Sequence, residues 1–254
     1  MEFKYPIYII SKGRAYNPLT AKLFEKANID YLIAVEPQEK DEYVKALGKK
    51  RVLVLPFSNL GLGSYPARNF CWEHAKERGH KYHWLFDDNF LMFKKWVNSK
   101  RVRIENISDA IKYVELNADK TNVDITGFER PEFCCKVPKK PFKYNCHVYS
   151  AMLIKNDLPY RWRLKYNEDV DLCLQVLHNG GTTSSCVYYM AKKTDTGQKM
   201  KGGNQTELYK GNAKEKKILK AKMLEAVWPQ YTKTVIRFNR PHHFIKKKKF
   251  KPKK

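Results

Sequence analysis

Two carboxylates and an amide, Asp87, Asp88 and Asn89, follow directly on the aromatic run Tyr82, His83, Trp84, Leu85 and Phe86. The run has the length and composition of a buried strand, so its end would set three oxygen-bearing side chains at one mouth of a sheet. Oxygen ligands outside the carboxyl end of a strand suit a hard divalent ion and its phosphate. The same residue types also form turns and cap helices, so the trio alone leaves both roles open. A second acidic group, Asn167, Glu168 and Asp169, precedes helical periodicity over residues 171–177. Asn167 is expected to cap that helix, and acids in its first turn are favoured by the helix dipole whether or not they do chemistry. Residues 192–204 combine Gly197, Gly202 and Gly203 with several lysines, a composition that can cradle phosphate on backbone N–H groups or simply connect two elements.

The elements that would position these groups alternate. Residues 5–10 (YPIYII) read as a first strand that runs into the basic, hydroxyl-bearing loop Ser11, Lys12, Gly13 and Arg14. A helix over 18–28, a strand over 31–35, a helix over 37–47, a strand over 52–55 and a helix over 65–78 closed by Gly79 then lead to the aromatic strand. Four strands separated by three helices predict right-handed crossovers and a largely parallel, Rossmann-like sheet, hence an α/β fold. The second half reads as α+β, with a helix over 108–118, strands over 123–128 and 144–154, and a basic loop over 136–143. A strand over 182–190, a long basic helix over 206–227 and a strand over 233–238 complete it. One domain over 1–245 is expected, divided into 1–98, 99–205 and 206–245, with a Lys-rich tail over 246–254 that orders only on a polyanion.

Fifty lysines and arginines against 26 acids give a net charge of +24, and +17 remains without the seven lysines after Ile245. The body itself is therefore basic, which favours a polyanionic partner, nucleic acid before an anionic membrane surface. No stretch approaches the roughly 20 apolar residues that cross a bilayer, and the first residues lack a cleavage-site pattern, so a cytoplasmic protein without a membrane partner is expected. The six cysteines show no CxxC spacing and read as reduced thiols, with Cys134, Cys135, Cys146 and His147 as a conceivable zinc set.

Taken in order, IISKGR, SYPARNFCWEHA, WLFDDN and YNEDVDLCLQ resemble the motifs of GT-A glycosyltransferases, whose Rossmann-like half binds a nucleotide sugar. With KMKGGNQ and RPHH added, the chain is similar to the TET/JBP-associated glycosyltransferases, found chiefly in phages, which add sugars to hydroxymethylated pyrimidines in DNA. The resemblance implies a UDP-sugar donor and a divalent ion, Mn2+ or Mg2+, held by Asp87, Asp88 and Asn89, with His242 returning late in the chain. Asn89 stands where the family's DxD motif has its third acid. It implies donor contacts from Ser11, Lys12, Gly13, Arg14, Glu36, Arg68, Asn69 and Asp87, and from Lys199, Lys201 and Gly202 in the Gly-rich loop. Asp169 would take the acceptor proton in an inverting enzyme, with Glu168 orienting it; in a retaining enzyme Asp169 would instead stabilise charge or hold substrate.

Charge and resemblance together make DNA the expected acceptor, its 5-hydroxymethylcytosine either reached in the major groove or flipped out. Arg161, Trp162, Arg163, Lys165, Lys139 and Lys140 are the expected DNA contacts, and Trp96, Trp162 and Tyr166 would either stack an extruded base or pack in the core. A monomer is expected. Two other classes fit the same residues: a metal-dependent nuclease or nucleotidyltransferase, and a DNA-binding protein that keeps the fold without catalysis.

Overall fold

The computed structural model describes residues 3–194, 201–203, 213–237 and 239–246, with backbone alone at 213–217. Its first half is the predicted alternation: β1 (Ile7–Ile10), α1 (Leu19–Lys26), β2 (Leu32–Val35), α2 (Lys40–Leu47), β3 (Val52–Val54), α3 (Tyr65–Glu77) and β4 (Tyr82–Asp87). These four strands lie side by side in the order β3, β2, β1, β4, all parallel. The rest of the sheet is mixed, with α4 (Ser108–Thr121) between its strands in the chain. β9 (Ala151–Lys155) pairs antiparallel with both β4 and β7 (Ile125–Glu129), and β10 (Ser184–Lys193) runs parallel to β7. A hairpin of β5 (Phe90–Val97) and β6 (Lys100–Ile104) closes that edge, and β8 (Phe142–Tyr144) pairs with β10. The molecule is thus α/β, as its strand and helix spacing predicts.

β4 shows how the aromatic run works. Side chains alternate across a strand, so Tyr82, Trp84 and Phe86 enter one core with Ile7, Phe24, Phe93 and Phe128, while Leu85 enters the other with Tyr8, Trp72 and Met152. The strand is covered on both faces, which is why its sequence reads as continuous apolar residues rather than as an alternating pattern. Its end is fixed as firmly: the Thr20 hydroxyl donates to the Asp87 carbonyl (2.7 Å) and accepts the Phe90 N–H (2.9 Å), tying the start of α1 to the Asp87–Phe90 turn.

Three expectations change. The strand over 144–154 breaks into β8 and β9, because Asn145 and Ser150 take left-handed backbone conformations (φ 51° and 60°) that no strand accommodates. The helix after Asn167 begins at Glu168 and forms α5 (Glu168–His178), yet Asn167 does not cap it through its side chain; at φ 55° its amide instead donates to the Lys220 carbonyl (2.7 Å). The last helix, α6, is described over Ala213–Val227, and the single late strand is a hairpin of β11 (Thr232–Arg237) and β12 (Arg240–Ile245). Among the described residues no helix is long and apolar enough to cross a membrane.

Candidate active site

The carboxyl ends of β1, β2 and β4 and the start of α5 surround one cleft of about 420 Å³, a volume suited to a ligand of nucleotide-sugar size. Ser11, Lys12, Arg14 and Glu36 line one end, Glu168, Asp169 and Lys165 the other, and Asp87 with Arg68 lies between them. The two acidic groups found in the sequence therefore face one cavity although about eighty residues separate them.

At the first end Gly13 takes φ 63°, which lets the loop after β1 turn back on itself. Ser11 Oγ lies 2.6 Å from the Tyr43 hydroxyl and donates to Asp88 (2.6 Å), while Arg14 pairs with the other Asp88 oxygen. Lys12 bridges Glu36 (3.0 Å) and Asn59 (3.3 Å), and Gln38 donates to the second Glu36 oxygen (2.6 Å). Lys201 and Gly202 pack onto this loop through their carbonyls, which accept from Arg14 (3.3 and 3.2 Å), and the Gly203 N–H donates to the Lys12 carbonyl. A methyl group on Gly202 would come within 2.3 Å of the Gly13 oxygen, so only glycine permits the contact. Lys199 lies outside the described residues.

Arg68, in the first turn of α3, connects the two ends. Its Nη2 donates to Asp87 (2.8 Å) and lies 3.5 Å from Glu168, while Ser64 Oγ donates to Glu168 (2.8 Å) and accepts from Arg68 Nε (3.1 Å). Lys193 holds the second Asp87 oxygen at 2.5 Å. Burial alone would raise the Asp87 pKa, but Lys193 and Arg68 outweigh it and hold the carboxyl well below its usual range. Asp169 goes the other way: burial and the neighbouring Glu168 charge raise it to about 7, which Arg68 only partly offsets. One carboxylate fixed as an anion and another poised to exchange a proton near neutral pH is the division of labour that acid–base chemistry needs.

The profile of the TET-Associated Glycosyltransferase family matches residues 5–203. The chain belongs to this family. It is a glycosyltransferase, and its reaction moves a sugar from a nucleotide-sugar donor to an acceptor as the nucleotide leaves. No curated protein matches the chain significantly. A solved structure from Desulfovibrio desulfuricans G20, provisionally assigned as a nucleotide-diphospho-sugar transferase, is similar at 11% identity and a TM-score of 0.38, over 67% of this chain and 75% of that one.

The set expected to hold a divalent ion does not fit one as it stands. Both Asp87 oxygens are paired with Arg68 and Lys193, and both Asp88 oxygens with Arg14 and Ser11. Asn89 donates to Thr194 Oγ1 (3.0 Å), and its oxygen, buried and without a partner among the described residues, is neutral. Among the described residues no three His, Cys, Asp or Glu side chains gather in a metal-holding arrangement, so Cys134, Cys135, Cys146 and His147 form no such set. All six cysteines are free thiols. His242 is exposed, and the alternation of β12 turns His243 to the cleft in its place. Burial, with the Lys220 charge beside it, lowers the His243 pKa to about 4, so the ring is neutral.

Other expected contacts serve the framework. Asn69 exchanges two hydrogen bonds with the Trp162 backbone (2.8 and 3.0 Å), pinning the 161–163 segment to α3. Arg161 pairs with Glu73 (2.6 Å) and donates to the Leu158 and Tyr160 carbonyls, so its donors are engaged within the protein. Arg163 grips the fully buried Asp171 through two 3.0 Å bonds, and Trp228 Nε1 donates to the same carboxylate (2.6 Å). Trp96 and Trp162, 8% and 1% exposed, pack into apolar clusters of the interior, whereas Tyr166, 7% exposed, lines the cleft. Lys139 and Lys140 are exposed, and Lys165 lines the cleft. Among the lining residues not singled out in the sequence are Arg130, Phe133, Tyr149 and Ser150, and Lys193 figures there only among the lysines of the 192–204 loop. Of these Lys193 carried a signal, a lysine closing a strand, hidden because that strand was expected to end three residues sooner.

Proposed function

We propose that this glycosyltransferase moves a sugar from a UDP-sugar to the hydroxymethyl group of 5-hydroxymethylcytosine in DNA, or to a sugar already on it. The observation that carries the reading is the position of Asp169. A carboxyl group with a pKa near neutrality lies in the same cleft as the basic loop after β1, and its neighbour Glu168 is joined through Arg68 to Asp87. The acceptor hydroxyl would lose its proton to Asp169 as it attacks the sugar, while Glu168, held by Ser64, keeps the local geometry. The loop from Ser11 to Arg14, with Glu36, would take the nucleoside and its phosphates.

Charge supports DNA as the acceptor. The +17 of the body is matched to a polyanion, and the acceptor end of the cleft carries Arg130, Lys165 and Lys220. Phe133 stands 59% exposed at the same end with the Arg130 guanidinium over its ring, a pair able to stack a base that leaves the duplex. The protein is read as acting as a monomer. The test is a nucleoside mass measurement after incubation with UDP-sugars and three DNAs: unmodified, hydroxymethylated and already glycosylated. A hexose or pentose mass gained on one of the modified DNAs alone supports the reading. A gain on unmodified DNA, or DNA cleavage instead of a gain, refutes it.

A further inference from the structure

Lys193 ends β10 with its ammonium on two acceptors at the cleft wall, Asp87 Oδ2 (2.5 Å) and Ser150 Oγ (3.0 Å). An ammonium has three N–H donors, so one is left for a third partner. Ser150 is held at φ 60°, a conformation rare for serine, and its carbonyl accepts the Asp87 N–H (2.9 Å). Backbone strain is thus retained at the residue that aims both charged groups. On the other side of Asp87, buried Arg68 has an Nη1 group without a hydrogen-bond partner among the described residues. Lys193 and Arg68 thus reach Asp87 from two sides, and Arg68 also lies 3.5 Å from Glu168, so two cations are fixed on this wall of the cleft by two carboxylates. In the lining as a whole, among the described residues, seven lysines and arginines face five acids. A divalent ion would have to displace Lys193 from Asp87, or Arg14 and Ser11 from Asp88, and enter a site with an excess of positive charge.

We propose that Lys193, held on Asp87, supplies the charge that meets the donor's diphosphate, and that transfer proceeds without a divalent ion. The proposal rests on the sugar-transfer reading above. The acceptor oxygen forms a bond to the anomeric carbon while its proton passes to Asp169. The bond from that carbon to the β-phosphate oxygen breaks, and its electron pair stays on the phosphate. Lys193 and Arg68 offset the charge gathered there, the role a bridging cation otherwise has. Asp87 accordingly positions two cations and ligates none.

Calorimetric titration of UDP, GDP, CDP and ADP into the intact protein, in excess EDTA and in Mn2+, tests this. The expected result is that the best-binding diphosphate has the same affinity in both buffers within about twofold. Lys193→Met should then weaken it roughly 10- to 100-fold in EDTA, the scale of a lost charge-assisted hydrogen bond, while Lys193→Arg retains most of it. Thermal melting of each variant reports its folding, and the buffer comparison on the unaltered protein needs no variant. Binding that requires Mn2+ overturns the proposal and leaves the sugar-transfer reading standing. Binding of none of the four in either buffer overturns both.

Discussion

Replacing Asp169 by Asn keeps the shape of the side chain and removes its capacity to take a proton. General-base loss costs about 10²- to 10⁴-fold, or about 2.7 to 5.4 kcal/mol of barrier, so turnover should fall at least about 100-fold. Donor affinity should stay unchanged, because the loop after β1, Arg68 and Lys193 are untouched. The unaltered enzyme adds a pH signature. Burial first, and Glu168 second, raise the Asp169 pKa to about 7, and the active form is the carboxylate. Activity should therefore rise about tenfold per pH unit below about pH 7 and flatten above it. Glu168→Gln removes the second cause and leaves the first, so the rising limb should move to lower pH.

Stability separates this chemistry from misfolding. A carboxyl whose folded pKa lies above its unfolded one binds more protons when folded between the two values, so the folded state loses stability as pH rises from about 4 to about 7. Asn carries no such penalty. Asp169→Asn should consequently melt at the same temperature as the unaltered protein, or higher, at pH 8, while its turnover is lowest relative to the parent. Radiolabelled sugar transfer across pH 5 to pH 9, with thermal melting in the same buffers, measures both. Unchanged turnover in Asp169→Asn, or a limb that stays in place in Glu168→Gln, refutes the assignment of Asp169 as base.

Asp171→Ala strands Trp228 Nε1, Gln175 and Arg163 without their shared acceptor, and urea unfolding should show a loss of about 2 to 3 kcal/mol; Arg163→Ala should cost less because its guanidinium is half exposed. Gly202→Ala places a methyl group against the Gly13 carbonyl at φ 81°, strain of about 1 kcal/mol or more, so calorimetry should find UDP affinity roughly 5- to 10-fold weaker and a melting temperature lower by about 2 to 4 °C. The double change Lys139→Ala with Lys140→Ala removes two exposed cations, so DNA binding should weaken on every sequence alike and its log-log salt slope should shrink by up to about two.

What could be read from the sequence was local, and what could not was set by contacts between distant segments. The aromatic run ending at Asp87 and Asp88 announced a covered strand because both of its faces are apolar, and the glycines at 13 and 79 announced turns because few other residues tolerate their backbone angles. Residue type could not say which donor each carboxylate would meet. Asp87, Asp88 and Asp171 look alike in the chain, yet one carries Arg68 and Lys193, one carries Arg14 and Ser11, and one fastens α5 to Arg163 and Trp228. The same holds for the arginines. Arg161 and Arg163 flank Trp162 in a pattern that suits nucleic acid, but Glu73 and Asp171 lie close enough to engage both. Asp169 differs from all of these because no cation pairs with it directly: its carboxylate accepts only the Val170 N–H of its own helix, at 2.9 Å, among the hydrogen bonds described. An acid that the fold buries beside another acid, with Arg68 and Lys220 near but not paired to it, keeps its proton affinity high, and that property rather than its motif makes it the group able to take a proton from an acceptor.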